Sequence, residues 1–303
     1  SLNAAQLVWT ERTGKVEPLP LPERDYENVM ISPDGARAIV QIRGGKTELW
    51  IYDFARSTIT PIGDSAGSSQ APLWTADGTR IIYRGTSQGL RNLSWRMADG
   101  SGIEERLATK QDAIQTPTSV SPDGHWLVFN ENSAQEPGGV NIWLMQLDGD
   151  RTPRHFFTAP AGESDGQFSP DGKWLAYQAS VSSRQEIYVS PFPGPGPRRQ
   201  VSIDGGTSPQ WIDRGRELAY LSQRKWLTLR SFADTGSDIA LGTPRELFDA
   251  AAFVETTPLV TPTVPTPVSH ASSISVASST RKASSAPASS ATSTSRTELD
   301  ELR

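Results

Sequence analysis

Apolar residues in this chain come in short runs, and five of these runs follow the same kind of turn. Ser32-Pro33-Asp34-Gly35 precedes Ile39-Val40, Thr75-Ala76-Asp77-Gly78 precedes Ile81-Ile82-Tyr83, and Ser121-Pro122-Asp123-Gly124 precedes Trp126-Leu127-Val128-Phe129. Ser169-Pro170-Asp171-Gly172 leads into Trp174-Leu175-Ala176-Tyr177, and a worn copy, Ile212-Asp213-Arg214-Gly215, leads into Leu218-Ala219-Tyr220-Leu221. Proline presets the first corner of such a turn, aspartate suits the second, and glycine accepts the left-handed conformation that closes it. Runs this short, rich in branched and aromatic residues, read as buried strands.

The turn glycines at 35, 78, 124, 172 and 215 are 43, 46, 48 and 43 residues apart. A period of roughly 40–50 residues with several short strands per unit predicts a β-propeller, one blade per repeat. Third strands are expected at 48–53, 93–97, 141–147, 186–190 and 226–230, and fourth strands at 58–62 and 245–248. Before the first full unit, residues 7–10 and 16–19 read as an outer hairpin about Thr13-Gly14. The expectation is an all-β, six-bladed type of propeller over residues 1–249, with five complete blades in 21–248 and half a blade in 7–20.

Eight of the nine tryptophans mark this phasing. Trp9, Trp50, Trp95 and Trp143 fall in third strands, with Tyr188 as their equivalent; Trp74 and Trp211 precede the turn, and Trp126 and Trp174 follow it. Such phasing predicts packing between blades, not ligand stacking, because a buried aromatic ring removes about 150–250 Å² from water. After Phe248 the pattern stops. Residues 250–303 are a Ser/Thr/Ala/Pro-rich tail whose composition cannot offset its ordering entropy, so disorder is expected there. A frameshift near residue 249 and a genuine linker would both produce this change.

The S-P-D-G turn, the Leu175-Ala176-Tyr177 type of strand and the later I-W or I-Y strand resemble the TolB-like (WD40-like) propeller repeat family. Leu7-Val8-Trp9 with Gly14 and Val16-Glu17-Pro18-Leu19-Pro20 is similar to the opening of the propellers that follow the kinase domain in some bacterial serine/threonine kinases. Tyr188-Val189-Ser190-Pro191-Phe192-Pro193-Gly194-Pro195-Gly196 is similar to another segment of those domains. The resemblance covers residues 6–248. It implies a partner-holding propeller, a peptide at one end of the channel and an extracytoplasmic or periplasmic setting.

Charge and composition narrow the partners. A net charge of −5 argues against a nucleic-acid surface, which needs a basic stripe. No apolar run is long enough to span a membrane, and Ser1 opens the chain without a leader, so any signal or anchor lies outside this sequence. With no cysteine, disulfides and thiolate metal sites are excluded.

Each catalytic or metal motif has a plainer reading. Gly63-Asp64-Ser65-Ala66-Gly67 matches G-x-S-x-G, but no helix follows to present the serine. His125, His155 and His270 stand at no ligand spacing. Asp99-Gly100-Ser101-Gly102 and Asp148-Gly149-Asp150 lack the remaining ligands of a calcium loop and suit hairpin turns. No catalytic residue, metal site or cofactor is expected.

One constellation remains. Polar residues begin every innermost strand: Glu27, Gln70, Thr116, Ser164 and Thr207 stand five positions before the turns, with Asn28, Gln115, Glu163 and Asp165 beside them. Ring geometry would gather Glu27, Asn28, Gln70, Gln115, Glu163, Asp165 and Thr207 at one mouth of the channel. Polar loops before buried strands are ordinary, and that is the plain alternative. The functional expectation is an acidic docking face for a protein or peptide that is basic or has a free amino terminus. The competing class is the accessory propeller of a prolyl-oligopeptidase-type serine hydrolase whose catalytic domain lies elsewhere.

Overall fold

The computed structural model describes residues 5–10, 16–62, 67–87, 89–136, 138–157, 162–180, 184–194, 196–222, 226–234, 239–249 and 273–278. Five consecutive antiparallel units follow the repeat, and each begins with its innermost strand. Blade 2 is Tyr26–Ile31, Arg37–Ile42, Glu48–Asp53 and Thr58–Pro61. Blade 3 is Ser69–Trp74, Arg80–Ser87, Leu90–Met97 and Glu105–Arg106. Blade 4 is Ala113–Val120, Trp126–Ser133, Val140–Gln146 and Arg154–His155. Blade 5 is Glu163–Phe168, Trp174–Ala179, Glu186–Pro191 and Arg199–Gln200. In blade 6, Thr207–Ile212, Glu217–Leu221 and Trp226–Asp234 are followed by Ile239–Leu241 and Arg245–Asp249, which pair with opposite ends of the long third strand.

Blade 1 holds the expected outer hairpin, Ala5–Thr10 with Val16–Pro18, and one strand more. Ser273–Ser278 pairs antiparallel with Ala5–Thr10, from Ala5 opposite Ser278 to Thr10 opposite Ser273. The sequence reading gave the tail no strand. The physical reason for this one is alternation: Ile274 and Val276 are interleaved with Ser273, Ser275 and Ala277, a period of two inside a polar run. The rest of the tail, where disorder is expected, lies outside the described residues. Among the described residues no helix is long and apolar enough to cross a membrane.

The continuous apolar runs are explained by what each face meets. In blade 3, Ile81 and Tyr83 pack with Ile39 and Ile51 of blade 2, while Ile82 packs with Leu127 and Phe129 of blade 4. Val128 turns the other way, into the cluster of Leu175 and Tyr177 of blade 5. Trp174 and Ala176 in turn join Leu218 and Tyr220 of blade 6. Successive side chains of a strand point to opposite faces, and here both faces are buried between blades. Trp9, Trp50, Trp74, Trp95, Trp126, Trp143, Trp174 and Trp211 all belong to these inter-blade clusters.

The turns lock themselves. Ser121 donates to Asp123 and receives the Trp126 N–H at 2.9 Å, while Asp123 also accepts the His125 N–H at 3.0 Å. The Ser32/Asp34, Thr75/Asp77 and Ser169/Asp171 pairs repeat the device. Gly78, Gly124, Gly172 and Gly215 have positive φ, and each faces the turn of the preceding blade. A Cβ on Gly172 would lie 3.6 Å from Pro122, and one on Gly215 would lie 3.1 Å from Pro170.

Candidate functional site

The innermost strands all depart from regular pairing in the same short stretch, three to five positions before the turn. Register shifts lie between Tyr26 and Asn28, Gln70 and Leu73, Pro117 and Ser119, Ser164 and Gln167, and Thr207 and Gln210. A bulge frees one residue from the ladder, and its backbone groups then need another partner. Ala71, Asp165 and Ser208 sit in these bulges with φ of 50°, 56° and 53°. Their N–H groups are taken by side-chain amides from the second strand of the preceding blade. Gln41 Oε1 accepts from Ala71 at 2.7 Å, Asn130 Oδ1 from Asp165 at 2.9 Å, and Gln178 Oε1 from Ser208 at 3.2 Å.

The same side chains also bind their own blade or clasp the next. Gln41 donates to Glu27 at 2.5 Å and Gln178 donates to Ser164 at 2.9 Å. At the matching position of blade 3, Arg84 bonds Gln70 of its own blade and Thr116 of the next, the latter at 2.8 Å. Asn130 instead gives its Nδ2 forward to Asp165 Oδ1 at 2.9 Å, so two hydrogen bonds hold that one aspartate. Sequence reasoning missed this belt, although Gln41, Arg84, Asn130 and Gln178 each stand six residues after a turn glycine.

The channel is an open cavity of about 600 Å³ lined by the innermost strands of blades 2 to 6. Trp74 and Trp211 form part of its wall, and their indole N–H groups bond the Met30 and Gln167 carbonyls of the preceding blade, each at 3.0 Å. Of the seven expected docking residues, Asn28 and Asp165 line this cavity. Glu27 is paired with Arg43 as well as Gln41, and Gln70 is held by Arg84. Gln115 is buried and donates to Glu131 at 2.9 Å; Glu131 is itself buried and ion-paired to Lys110 at 2.5 Å. Glu163 is buried, and Thr207 opens the first strand of blade 6 opposite Leu221. Of the acidic groups, Asp165 thus lies in the channel wall, Glu27 is bonded within its own blade and Glu163 is buried. Burial raises the Asp165 carboxyl above the ordinary carboxylate range, with the Asn130 hydrogen bond acting the other way.

The remaining candidates fall where their plain readings put them. His125 Nδ1 pairs with Asp148, both well exposed, and His155 stacks on Trp143 with ring centroids 3.8 Å apart. Asp99 and Asp150 accept N–H groups two residues on, from Ser101 at 2.8 Å and Thr152 at 3.2 Å, as turn aspartates do. Residues 63–66 of the G-x-S-x-G match and His270 lie outside the described residues.

No protein-family model matches the chain. An uncharacterized protein of Agrobacterium fabrum is 26% identical over 205 residues, which are 63% of this chain and 68% of that protein. The Tol-Pal system protein TolB of Bordetella pertussis is 32% identical over 119 residues, 39% of this chain and 26% of TolB, so that match spans only part of the relative's length. A solved structure of a candidate TolB from Agrobacterium tumefaciens superposes with a TM-score of 0.69 at 16% identity, covering 91% of this chain and 98% of the other. The chain has a TolB-like β-propeller fold.

Proposed function

We propose that this chain is a non-catalytic propeller that holds a protein or peptide segment at one mouth of its channel. The observation that carries this reading is the channel itself. It is open and walled by innermost strands, and its described lining sets hydroxyl, amide and indole groups among apolar and proline residues, around a single carboxylate. Such a wall offers hydrogen bonds and one charge to an extended segment, and its described residues include no histidine, lysine or arginine. Asn28 and Asp165 would contact the segment directly. Glu27, Gln70, Gln115, Glu163 and Thr207 would shape the mouth by fixing the blades that carry them.

The wider setting follows the kinase-propeller resemblance of residues 7–20 and 188–196. In this reading the chain is the sensor or scaffold portion of a larger bacterial protein such as a serine/threonine kinase, in an extracytoplasmic compartment. The experiment is capture of a partner by the tagged chain and by a Gln210→Trp variant, which fills the channel from a lining position. A partner retained by the parent chain and lost by the variant supports docking at the mouth. A partner retained equally by both overturns it.

A further inference from the structure

Asp165 is the one ionisable residue among the described residues that line the channel. The fold does not require its charge. The bulge it occupies recurs at Ala71 and Ser208, with the same positive φ and the same amide acceptor from the preceding blade. Ala71 makes that bulge with no polar side chain at all. What the bulge needs is the N–H bond to Asn130, so the carboxylate is a feature added to a structural device.

The carboxylate is also only half used. Asn130 Nδ2 engages Oδ1, and among the described residues Oδ2 has no hydrogen-bond partner and no cation within ion-pair distance. Also in the channel wall, on blade 2, the buried Asn28 Oδ1 has no partner either. A half-buried anion in a wall of neutral groups is poorly solvated and gains most from a ligand that brings one positive charge.

We propose that the channel binds a primary ammonium group, with Asp165 as its counter-ion. This rests on the docking reading above and names the chemistry that the docked segment presents. One oxygen of Asp165 is already committed, which disfavours the parallel two-oxygen fork that a guanidinium prefers. An ammonium has three divergent N–H donors and suits separated single acceptors such as Asp165 Oδ2 and the wall hydroxyls. A calcium ion takes six to eight oxygens, usually from several carboxylates, and this wall supplies one carboxylate. An amino terminus and a lysine side chain are the two sources of such a group.

Three peptide probes separate them: tetra-alanine amide with a free amino terminus, the same peptide acetylated, and the acetylated peptide ending in lysine amide. Binding is read from the side-chain amide resonances of Asn130 and the indole resonances of Trp74 and Trp211. The expected result is saturable binding of the free-amine probe, the lysine probe or both. The acetylated control should bind at least about tenfold more weakly, and Asp165→Asn should lose about tenfold, since one paired charge in a half-buried site accounts for that much. The unchanged indole resonances of the Asp165→Asn protein would show that its channel is intact. Equal binding of all three probes, or equal binding by Asp165→Asn, overturns the ammonium assignment and leaves channel docking standing. Calcium chloride shifting the Asn130 resonances while no amine does would also overturn it. Failure of every probe, with a captured partner that ignores Gln210→Trp, removes both readings together.

Discussion

The indole Nε1 of Trp211 donates to the backbone carbonyl of Gln167 at 3.0 Å, joining the innermost strands of blades 5 and 6 across the channel wall. Trp74 makes the same bond to Met30 between blades 2 and 3, also 44 positions back. These residues stand just before the turn, where the repeat alternates Trp with Ile31, Val120 and Phe168. Trp211→Phe keeps most of the apolar surface and leaves the Gln167 carbonyl without this donor. The expected cost is about 1–2 kcal/mol, read as a shift of the urea midpoint with an unchanged slope.

Substitutions at the turn glycines should separate strain from crowding. Gly172→Ala meets Pro122 only at ordinary contact distance, so its cost is conformational, about 1 kcal/mol for a left-handed alanine. Gly215→Ala adds a contact of 3.1 Å with Pro170 and should cost more. Gly166→Ala would place its Cβ 3.0 Å from Val128, inside the interface between blades 4 and 5, where overpacking costs about 1–3 kcal/mol. Thermal unfolding of the three variants side by side gives the order.

The inter-blade belt predicts its own cost. Gln178→Leu removes the acceptor for the Ser208 N–H and the donor to Ser164 while keeping the side-chain volume. A backbone N–H left without a partner costs about 1–3 kcal/mol, so this variant should destabilise by about that amount. Exchange of the Ser208 amide should quicken more than that of amides in blade 2, which is the local signature to look for.

The difference between what the sequence disclosed and what it hid has a physical basis in these residues. Turns and strands are written locally: Ser169 through Tyr177 holds both the corner chemistry and the apolar run it starts. The faces of those runs are legible too, because Val128 and Phe129 must point opposite ways in any strand. The bulges are different. They exist because Gln41, Asn130 and Gln178 reach a backbone N–H 30 or 35 positions later, and no local window contains both partners. The polar starts of the innermost strands therefore read as a docking face, although Glu27, Gln70 and Gln115 are engaged by Gln41, Arg84 and Glu131. The polar residue that recurs six positions after the turn glycines 35, 78, 124 and 172 was the available signal. The strand at Ser273–Ser278 was obscured by composition, since a serine-rich run masks a short alternation.

The ion pair of Lys110 with Glu131 is an asymmetric one. Glu131 is 1% exposed and also receives Gln115, whereas the lysine side chain keeps 37% of its surface in water. Lys110→Met strands a buried carboxylate, which costs about 3–5 kcal/mol when fully enclosed and about 2 kcal/mol where water reaches the vacated side. Adding Glu131→Gln removes the stranded charge and should recover most of the loss. A double variant no more stable than Lys110→Met would show that the pair contributes through packing on Trp143, which Lys110 covers at 5.0 Å.

Acid should act on this propeller through two sets of aspartates with opposite signs. In the turns, Ser32 holds the Asp34 carboxyl below its ordinary range and Ser121 does the same for Asp123, each with help from a backbone N–H. At Asp77 partial burial pushes upward, but hydrogen bonds from Thr75 and Thr79 outweigh it and the group is lowered as well. A lowered carboxyl stabilises the fold above its unfolded value, and that contribution is lost as pH falls through the folded value. Asp165 runs the other way. Its raised carboxyl contributes stability that is complete below the unfolded value and is lost as pH rises through the folded one. Urea midpoints measured from about pH 3 to pH 7 should therefore show Asp123→Asn with a flatter acid limb than the parent chain. Asp165→Asn, which can still accept the Asn130 bond, should gain on the parent as pH rises and be the more stable of the two at neutrality. An Asp165→Asn protein that falls behind the parent over that same interval would mean that the folded protein holds the Asp165 carboxyl below its unfolded value, not above it.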